Sequence, residues 1–363
     1  CNICSRGLLY GMIEENRGEV SYMVTMQQIA DACGVSRGTV DRALHDKEGV
    51  RPDVAARIRE TAREMGYIPA RLMPQQTQVW RIGVVLHSAG SEFVQMLREL
   101  FENFSGREPL PVQTIVRAMQ DMDVYHQLAL IDELVEVEKI DGLALMPLAN
   151  TLLRDKINEL AEQKGIPVVT FNTDITDANR LAYVGPNHIA SGRAAAALLG
   201  LVMGGRGHVL PILGQRRGHY ADSQRLSGFC AEMEQSFPEI EILHPECSFL
   251  DEQLAERIAL RAILSDPELR GIYISSAGRS GVYNALVQSG CANRVHVVVH
   301  DATPDNLELI RKGAVDFVIG QDAQTQGTLP VRLLFYALSR HQLPEKRVFN
   351  TDITVKFRCN IDV

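Results

Sequence analysis

TMQQIADACGVSRGTVDRALHDKEGV, residues Thr25 to Val50, decides how the front of this chain folds. Thr25 opens a first helix, with Gln28 three residues on as in a capping box; Ile29 and Ala32 are expected to supply its apolar face. Gly34 stops that helix, because the left-handed conformation that ends a helix is easiest for glycine. Ser36 is placed to cap a second helix through its hydroxyl. In that helix Val40, Ala43 and Leu44 recur at helical spacing and face inward, leaving Arg37, Gly38, Asp41 and Arg42 outside. Two short helices joined by a tight glycine turn make a helix-turn-helix, whose second helix suits a DNA major groove. The competing reading is a three-helix packing element with no DNA role; arginine and small polar residues on the outer face weigh against it.

Outside this stretch, 363 residues exceed one ordinary core and suit two or three compact units. A hydrophobic share of 45% and a charged share of 23% are those of a globular protein. The formal net charge of −8 gives no whole-chain attraction to nucleic acid. From Thr25 to Arg71, however, eight basic residues stand against seven acidic ones. DNA binding by such a head would rest on geometry, dimerisation and a few phosphate contacts rather than on a strong basic field. Seven irregularly spaced cysteines fit a reducing, cytoplasmic setting. Cys1 and Cys4 form one CxxC with no second pair at zinc spacing, so no metal is expected, and no cofactor motif stands out. The longest apolar run, Ala194 to Met203, is too short to span a bilayer and reads as a buried helix. Residues 1–24 carry no strong period and read as an extension that is disordered or lies upstream of the true start.

From Arg81 the texture changes to alternating strands and helices. Strand-like runs are Ile82–Leu86, Val112–Val116, Gly142–Met146, Val168–Phe171, Ala182–Val184, His208–Leu213, Glu241–Leu243, Gly271–Ile274, His296–Val299 and Val315–Ile319. Amphipathic segments such as Glu92–Phe104, Val124–Val137, Asn150–Gln163 and Ala190–Met203 lie between them. Such alternation implies parallel sheets covered on both faces. The length from residue 81 to the end exceeds one doubly wound sheet, so two lobes with a cleft between them are expected.

The head resembles the N-terminal domain of the lactose-repressor (LacI/GalR) family of bacterial transcription regulators. The residues that carry the likeness are Thr25, Ile29-Ala30, Gly34-Val35-Ser36, Thr39-Val40, Arg42, Leu44 and Val50, then Arg57, Ala62 and the run Met65-Gly66-Tyr67-Ile68-Pro69. The long remainder resembles a type I periplasmic binding protein, most of all the ribose-binding kind. Ala144–Met146 with Gly165–Thr170 resembles the strand-helix-strand unit of its first lobe. Arg225-Leu226-Ser227-Gly228-Phe229 resembles the R-x-x-G-F turn of the second, Val297–Asp305 its aspartate loop, and Ile319–Asp322 its last crossover. The resemblance implies an α/β protein with a three-helix head over residues 25–70, a hinge over 71–80 and a two-lobed body over 81–363. Lobe 1 would take about 81–185 and 322–345, lobe 2 about 186–320 and 346–363.

In that fold, ligands bind where the carboxyl ends of parallel strands of the two lobes face each other. Phe93, Asn172, Arg225, Phe249, Ser276, Asp301 and Gln321 fall at such places. Phe93 and Phe249 would stack on sugar ring faces, Arg225 would span neighbouring oxygens, Asp301 would accept two hydroxyl hydrogens, and Asn172 and Gln321 would bond either way. Each also has a plainer reading: core aromatics for Phe93 and Phe249, a helix cap for Arg225, an N-cap of the helix near Pro304–Ile310 for Asp301, hinge backbone for Gln321 and a turn for Asn172. The ribose-like pattern has Asp-Arg where this chain has Asn172-Thr173, and Asn-Asp where it has Ser275-Ser276. The effector's identity, a sugar or another polar molecule, stays open.

For DNA, the resemblance gives Arg37, Gly38 and Arg42 to base edges, arginine being suited to guanine. Ser36 and Thr39 would touch phosphate, and Asp41 would repel it or accept from a cytosine amino group. Thr25 and Arg51 complete the contact set. Relatives wedge a hinge leucine into the minor groove; here Pro74 interrupts that hinge and Leu72 is the substitute. The implied protein is a non-enzymatic repressor binding a pseudo-palindromic operator as a homodimer or tetramer, released or tightened by the effector. The alternatives are a solute receptor without gene control and a sugar-modifying enzyme. Against the enzyme, no P-loop or metal cluster is found.

Overall fold

The structure, a computed structural model, describes residues 26–44, 47, 49–64, 78–214, 220–276 and 278–361. Thr25, Leu72, the extension, the Met65–Pro69 run and residues 71–77 of the hinge lie outside the described residues. The chain divides into two compact units, Cys1–Thr77 and Gln78–Val363.

The first unit contains α1 (Met26–Cys33), α2 (Arg37–Leu44) and α3 (Pro52–Glu64). Its core gathers Ile29, Ala30, Cys33, Val40, Ala43, Leu44, Ala55, Ile58 and Ala62. Ala32, expected on the apolar face of α1, is exposed instead. Ile29, Ala30 and Cys33 form one stripe, and Ala32 is turned well over a quarter of the circumference from its centre. Gly34 ends α1 at φ +64°. The Gly34 N–H donates to the Asp31 carbonyl (3.2 Å) and the Val35 N–H to the Ala30 carbonyl (3.0 Å). Those two bonds are the Schellman closure that the glycine makes possible.

The second unit is two parallel-rich sheets. The first contains β1 (Trp80–Leu86), β2 (Val112–Ala118), β3 (Gly142–Leu145), β4 (Val168–Phe171) and β5 (Ala182–Pro186), wrapped by α4 (Glu92–Glu102), α5 (Phe104–Arg107), α6 (Val124–Glu136) and α7 (Thr151–Glu162). The chain then crosses into α8 (His188–Val202), β6 (Gly207–Leu213), α9 (Tyr220–Ser236), β7 (Ile240–Ile242), β8 (Glu246–Cys247), α10 (Glu252–Ser265), β9 (Leu269–Ile274), α11 (Arg279–Ser289), β10 (His296–His300), α12 (Pro304–Arg311) and β11 (Phe317–Gln321). It returns as α13 (Ala323–Arg340) and β12 (Val348–Thr351), and ends in β13 (Ile353–Lys356). The strand orders are β12-β5-β4-β3-β1-β2 and β13-β11-β10-β9-β6-β7, with β8 beside β6. Among the described residues every pairing is parallel except β11 with β13. Buried apolar clusters lie on both faces of each sheet. Burial on both sides explains the near-continuous apolar strands read from the sequence.

Three crossings join the lobes, after β5, after β11 and between β12 and β13. The last falls later than the residue 345/346 boundary expected from the sequence. Val348–Thr351 pairs in parallel with Tyr183–Pro186 on the first sheet, and only Ile353 onward joins the second. Val348 to Lys356 reads as one extended run, so pairing partners alone divide it. The R-x-x-G-F segment is also not a turn: Arg225–Phe229 lies within α9. Its glycine serves close packing. A Cβ on Gly228 would collide with the Ile189 carbonyl of α8, and one on Gly192 with the Arg225 carbonyl of α9.

Candidate ligand cleft and nucleic-acid face

The expected site residues sit where strands end. Asn172 follows β4, Phe249 follows β8, Ser275 and Ser276 follow β9, Asp301 follows β10, and Gln321 closes β11. Several hold left-handed backbone without being glycine: Asn172 at φ +58°, Asp301 at +73° and Phe249 at +53°, with Ser88 after β1 at +55°. Such backbone is costly and persists only where neighbours hold it.

The neighbours of Asn172 are explicit. Its N–H donates to the Val184 carbonyl (3.0 Å). Its own carbonyl accepts from His188 Nε2 (2.8 Å) and lies 3.0 Å from the Tyr183 hydroxyl. Its side-chain Nδ2 donates to Gln321 Oε1 (3.1 Å) and to Gln326 Oε1 (2.9 Å). Gln321 Nε2 in turn donates to Asp301 Oδ1 (2.6 Å). One polar chain therefore runs from the first sheet, through the crossover after β11, to the second.

Asp301 faces Arg225, whose Nη2 stands 3.7 Å from Oδ1. Arg225 Nη1 donates to the Ser275 carbonyl (2.7 Å), and its Nε is buried without a hydrogen-bond partner among the described residues. The hydroxyls of Ser275 and Ser276 donate to Asp222 Oδ1 (2.7 and 3.1 Å). Asp222 lies one turn before Arg225 on α9, so one helix face supplies both charges. His300, fully buried beside this group, is held well below its usual pKa by burial, then by the Arg225 charge. It is therefore neutral, and its Nε2 lies 2.8 Å from the Tyr273 hydroxyl.

The structure thus brings Asn172, Gln321, Asp301, Arg225 and Ser276 into one connected set. The N-cap reading of Asp301 does not hold: Thr303 caps α12, accepting from Asn306 N. The helix-cap reading of Arg225 fails too, because the residue lies well inside α9. Phe93 stands apart. Together with Val94, Leu97 and Phe101 it forms the buried face of α4, in the core of the first sheet. Phe249 is 44% exposed at the end of β8, next to Leu250 at 40%. The sequence reading missed Gln326, Asp222 and the pair Tyr183 and His188. Gln326 carried a usable signal, being a glutamine on the buried stripe of α13 with Pro330, Val331 and Leu334.

Thr173 and the residue after it, Asp174, turn into the lobe. Asp174 is buried and engaged by Arg180 in two contacts of 2.5 Å, and it accepts from Thr170 Oγ1 (2.7 Å). Thr173 Oγ1 donates to the Pro147 carbonyl (2.8 Å). Both residues are spent on holding the lobe.

On the first unit, Ser36 Oγ accepts from Thr39 N (3.2 Å) and lies 2.9 Å from Thr39 Oγ1. Arg42 Nη2 reaches the same Thr39 hydroxyl at 3.5 Å. Ser36, Arg37, Gly38 and Arg42 are exposed together. Asp41 is not a bare carboxylate, since Lys47 Nζ pairs with it at 2.9 Å. Arg51 grips Asp53 through Nε and Nη2 (3.1 and 2.5 Å), holding the Asp53 carboxyl below its usual pKa. A phosphate reaching Arg51 would have to share it. Arg57 and Arg59 donate to the carbonyls of Cys33 and Ala43, tying α3 to the ends of α1 and α2.

Among the described residues no helix is long and apolar enough to cross a membrane, and no group of His, Cys, Asp and Glu is placed to hold a metal ion. Residues 82–342 match the family described as periplasmic binding protein domain, and residues 25–70 match the bacterial regulatory proteins of the lacI family. One relative is the HTH-type transcriptional regulator RegA of Clostridium saccharobutylicum, 28% identical over 41% of this chain and 43% of that protein, so the match spans less than half of it. Another is the HTH-type transcriptional regulator GntR of Pseudomonas aeruginosa, 25% identical over 69% of this chain and 70% of that one. Among solved structures, a sugar-binding protein of a sugar ABC transporter from Bacillus halodurans has a TM-score of 0.68 at 23% identity, covering 78% of this chain and 99% of that one. The glucose-galactose binding protein GanP of Geobacillus stearothermophilus has a TM-score of 0.70 at 20% identity, over 79% and 100%. These likenesses to solved structures are likenesses of fold.

Proposed function

The chain belongs to the periplasmic binding protein domain family and carries a lacI-family head, and on that premise we propose that it is a DNA-binding transcription repressor controlled by a small sugar-class effector. The observation that carries the reading is the polar set at the strand ends. Asn172 and Gln326 from one lobe, and Asp301 and Arg225 from the other, meet through Gln321 at the crossover. A polyhydroxylated ligand offers several donors and acceptors at once, as such a set requires.

Control follows from connectivity. The head continues into β1, so it is joined to lobe 1, and the three crossings leave the lobes free to rotate about a hinge. An effector that bonds to both lobes favours closure, and closure resets the spacing of two heads in a homodimer on a pseudo-palindromic operator. Effector and operator affinities are then coupled reciprocally, at roughly 1–3 kcal/mol. A protein that reads DNA acts where the DNA is, in the cytoplasm. Arg37 and Arg42 contact bases, while Ser36 and Thr39 contact phosphate.

The test is a mobility-shift assay with fragments from the protein's own genome, run with and without D-allose, D-fucose, D-tagatose and an aldonic acid. Calorimetry of the same compounds accompanies it. The reading expects a specific fragment whose retention changes with one compound. Sugar binding with no specific fragment would make the protein a receptor, and turnover of the compound would make it an enzyme; either result overturns the proposal.

A further inference from the structure

Gln326 is completely buried on the first turns of α13, and no ligand could touch it without opening the hinge. Its Oε1 accepts from Asn172 Nδ2 (2.9 Å), and its Nε2 donates to Gln321 Oε1 (3.2 Å). Gln321 Oε1 therefore accepts twice, from Gln326 and from Asn172. Both hydrogens of the Asn172 amide are consumed inside the hinge. Its backbone N–H and carbonyl are consumed as well, by Val184, His188 and Tyr183. Of all the polar atoms of Asn172, only Oδ1 has no protein partner among the described residues.

We propose that Gln326 is a positioning residue that sets effector specificity by locking the Asn172 carboxamide in one orientation, so that Asn172 offers the ligand an acceptor and never a donor. Asparagine is ambivalent by itself, since its two ends differ little in shape and a half-turn exchanges donor for acceptor. With Gln326 in place that half-turn would set Oδ1 against the Oε1 atoms of Gln321 and Gln326, two acceptors facing a third. The locked form selects a ligand hydroxyl or ammonium hydrogen at this point of the cleft and rejects a group that can only accept. This rests on the effector reading given above.

The test is a double-mutant cycle on the full chain, using whichever of D-allose, D-fucose, D-tagatose and an aldonic acid the wild type binds most tightly. Gln326→Met keeps volume but removes both hydrogen-bonding groups, so the Asn172 amide keeps only the Gln321 half of its restraint. Effector affinity is expected to fall roughly ten-fold, about one oriented hydrogen bond. Asn172→Asp places an acceptor toward the ligand in either orientation but turns its other oxygen onto the Oε1 atoms of Gln321 and Gln326, so in that background Gln326→Met removes one repulsion and should cost less than two-fold or restore affinity. A merely structural role for Gln326 would give the same loss in both backgrounds, and that equality overturns the proposal. Unaltered affinity in the single Gln326→Met variant overturns it too. If the wild type binds none of the compounds, the effector reading itself fails and takes this inference with it, an outcome distinguishable from failure of the lock alone.

Discussion

Replacing Gly192 by alanine should both destabilise the second unit and weaken effector binding, because the contact it breaks positions Arg225. The added Cβ would overlap the Arg225 carbonyl, which is backbone inside α9 and cannot rotate away. The two helices must part by about 1.5 Å before ordinary van der Waals contact is restored. Overpacking against a yielding side chain costs about 1–3 kcal/mol; with rigid backbone on both sides the upper figure applies. At about 2 °C per kcal/mol for a domain of this size, the melting temperature should drop by about 6 °C. The same displacement carries Arg225 away from the Ser275 carbonyl, now at 2.7 Å, and from Asp301. One charge-assisted hydrogen bond is worth roughly ten-fold in affinity. Differential scanning fluorimetry and calorimetric titration read the two effects on one preparation. Gly106→Ala is the control, since a Cβ there meets nothing within 4 Å and should shift stability by less than about 0.5 kcal/mol. A Gly192→Ala protein that melts with the wild type, or that melts lower yet binds the effector unchanged, refutes the link between this helix contact and the site.

Asp174→Ala leaves the buried Arg180 guanidinium with the Arg347 carbonyl as its remaining partner (3.1 Å), and should cost about 3–5 kcal/mol, read as a lower denaturation midpoint. His208 is held above its usual pKa, first by its hydrogen bond to Asp266 (2.7 Å). Its contribution is therefore complete below pH 6.5, the ordinary histidine value, and is lost as pH rises through the raised value. A His208→Gln protein should lack that alkaline loss in melting temperature measured against pH. Arg37→Ala and Arg42→Ala should each weaken operator binding by about 1–3 kcal/mol in a mobility shift while leaving effector titrations unchanged.

How much the sequence discloses differs element by element. The first helix turn is legible because Gly34 and Ser36 each have one local conformational job, and the structure shows those jobs done. The central strands were legible because burial on both faces leaves continuous apolar runs such as Val168–Phe171. Val348–Thr351 and Ile353–Lys356 were not, since two adjacent strands that pair in different sheets look like one segment. By its sequence setting Gly228 reads as a turn glycine, whereas α9 uses it to approach α8; lack of a side chain signals closeness but not what comes close. Phe93 has the right place in the chain for a ligand stack, yet α4 rotates it into the core with Leu97 and Phe101. Asp222 escaped because its partners Ser275 and Ser276 lie far along the chain, and Gln326 stood out only as a polar residue on the apolar stripe of its helix.

The strained residues explain how so polar a cleft holds its shape. Asn172 and Asp301 both adopt left-handed backbone directly after a central strand, which turns each side chain off the strand line. An unsupported residue would relax at a gain of about 1–3 kcal/mol. Here relaxation would break the Asn172 bonds to Gln321 and Gln326, or the Gln321 bond to Asp301. Each of those is a buried pairing whose loss would leave a polar atom unsatisfied at comparable cost. Asn306 adds to the restraint at Asp301, its Nδ2 donating to the carbonyls of His300 (2.9 Å) and Asp301 (2.5 Å). The network and the strain therefore sustain one another, and the bonds that do so span both lobes. A ligand entering this site finds acceptors already aimed, so its binding energy goes into drawing the lobes together rather than into ordering side chains.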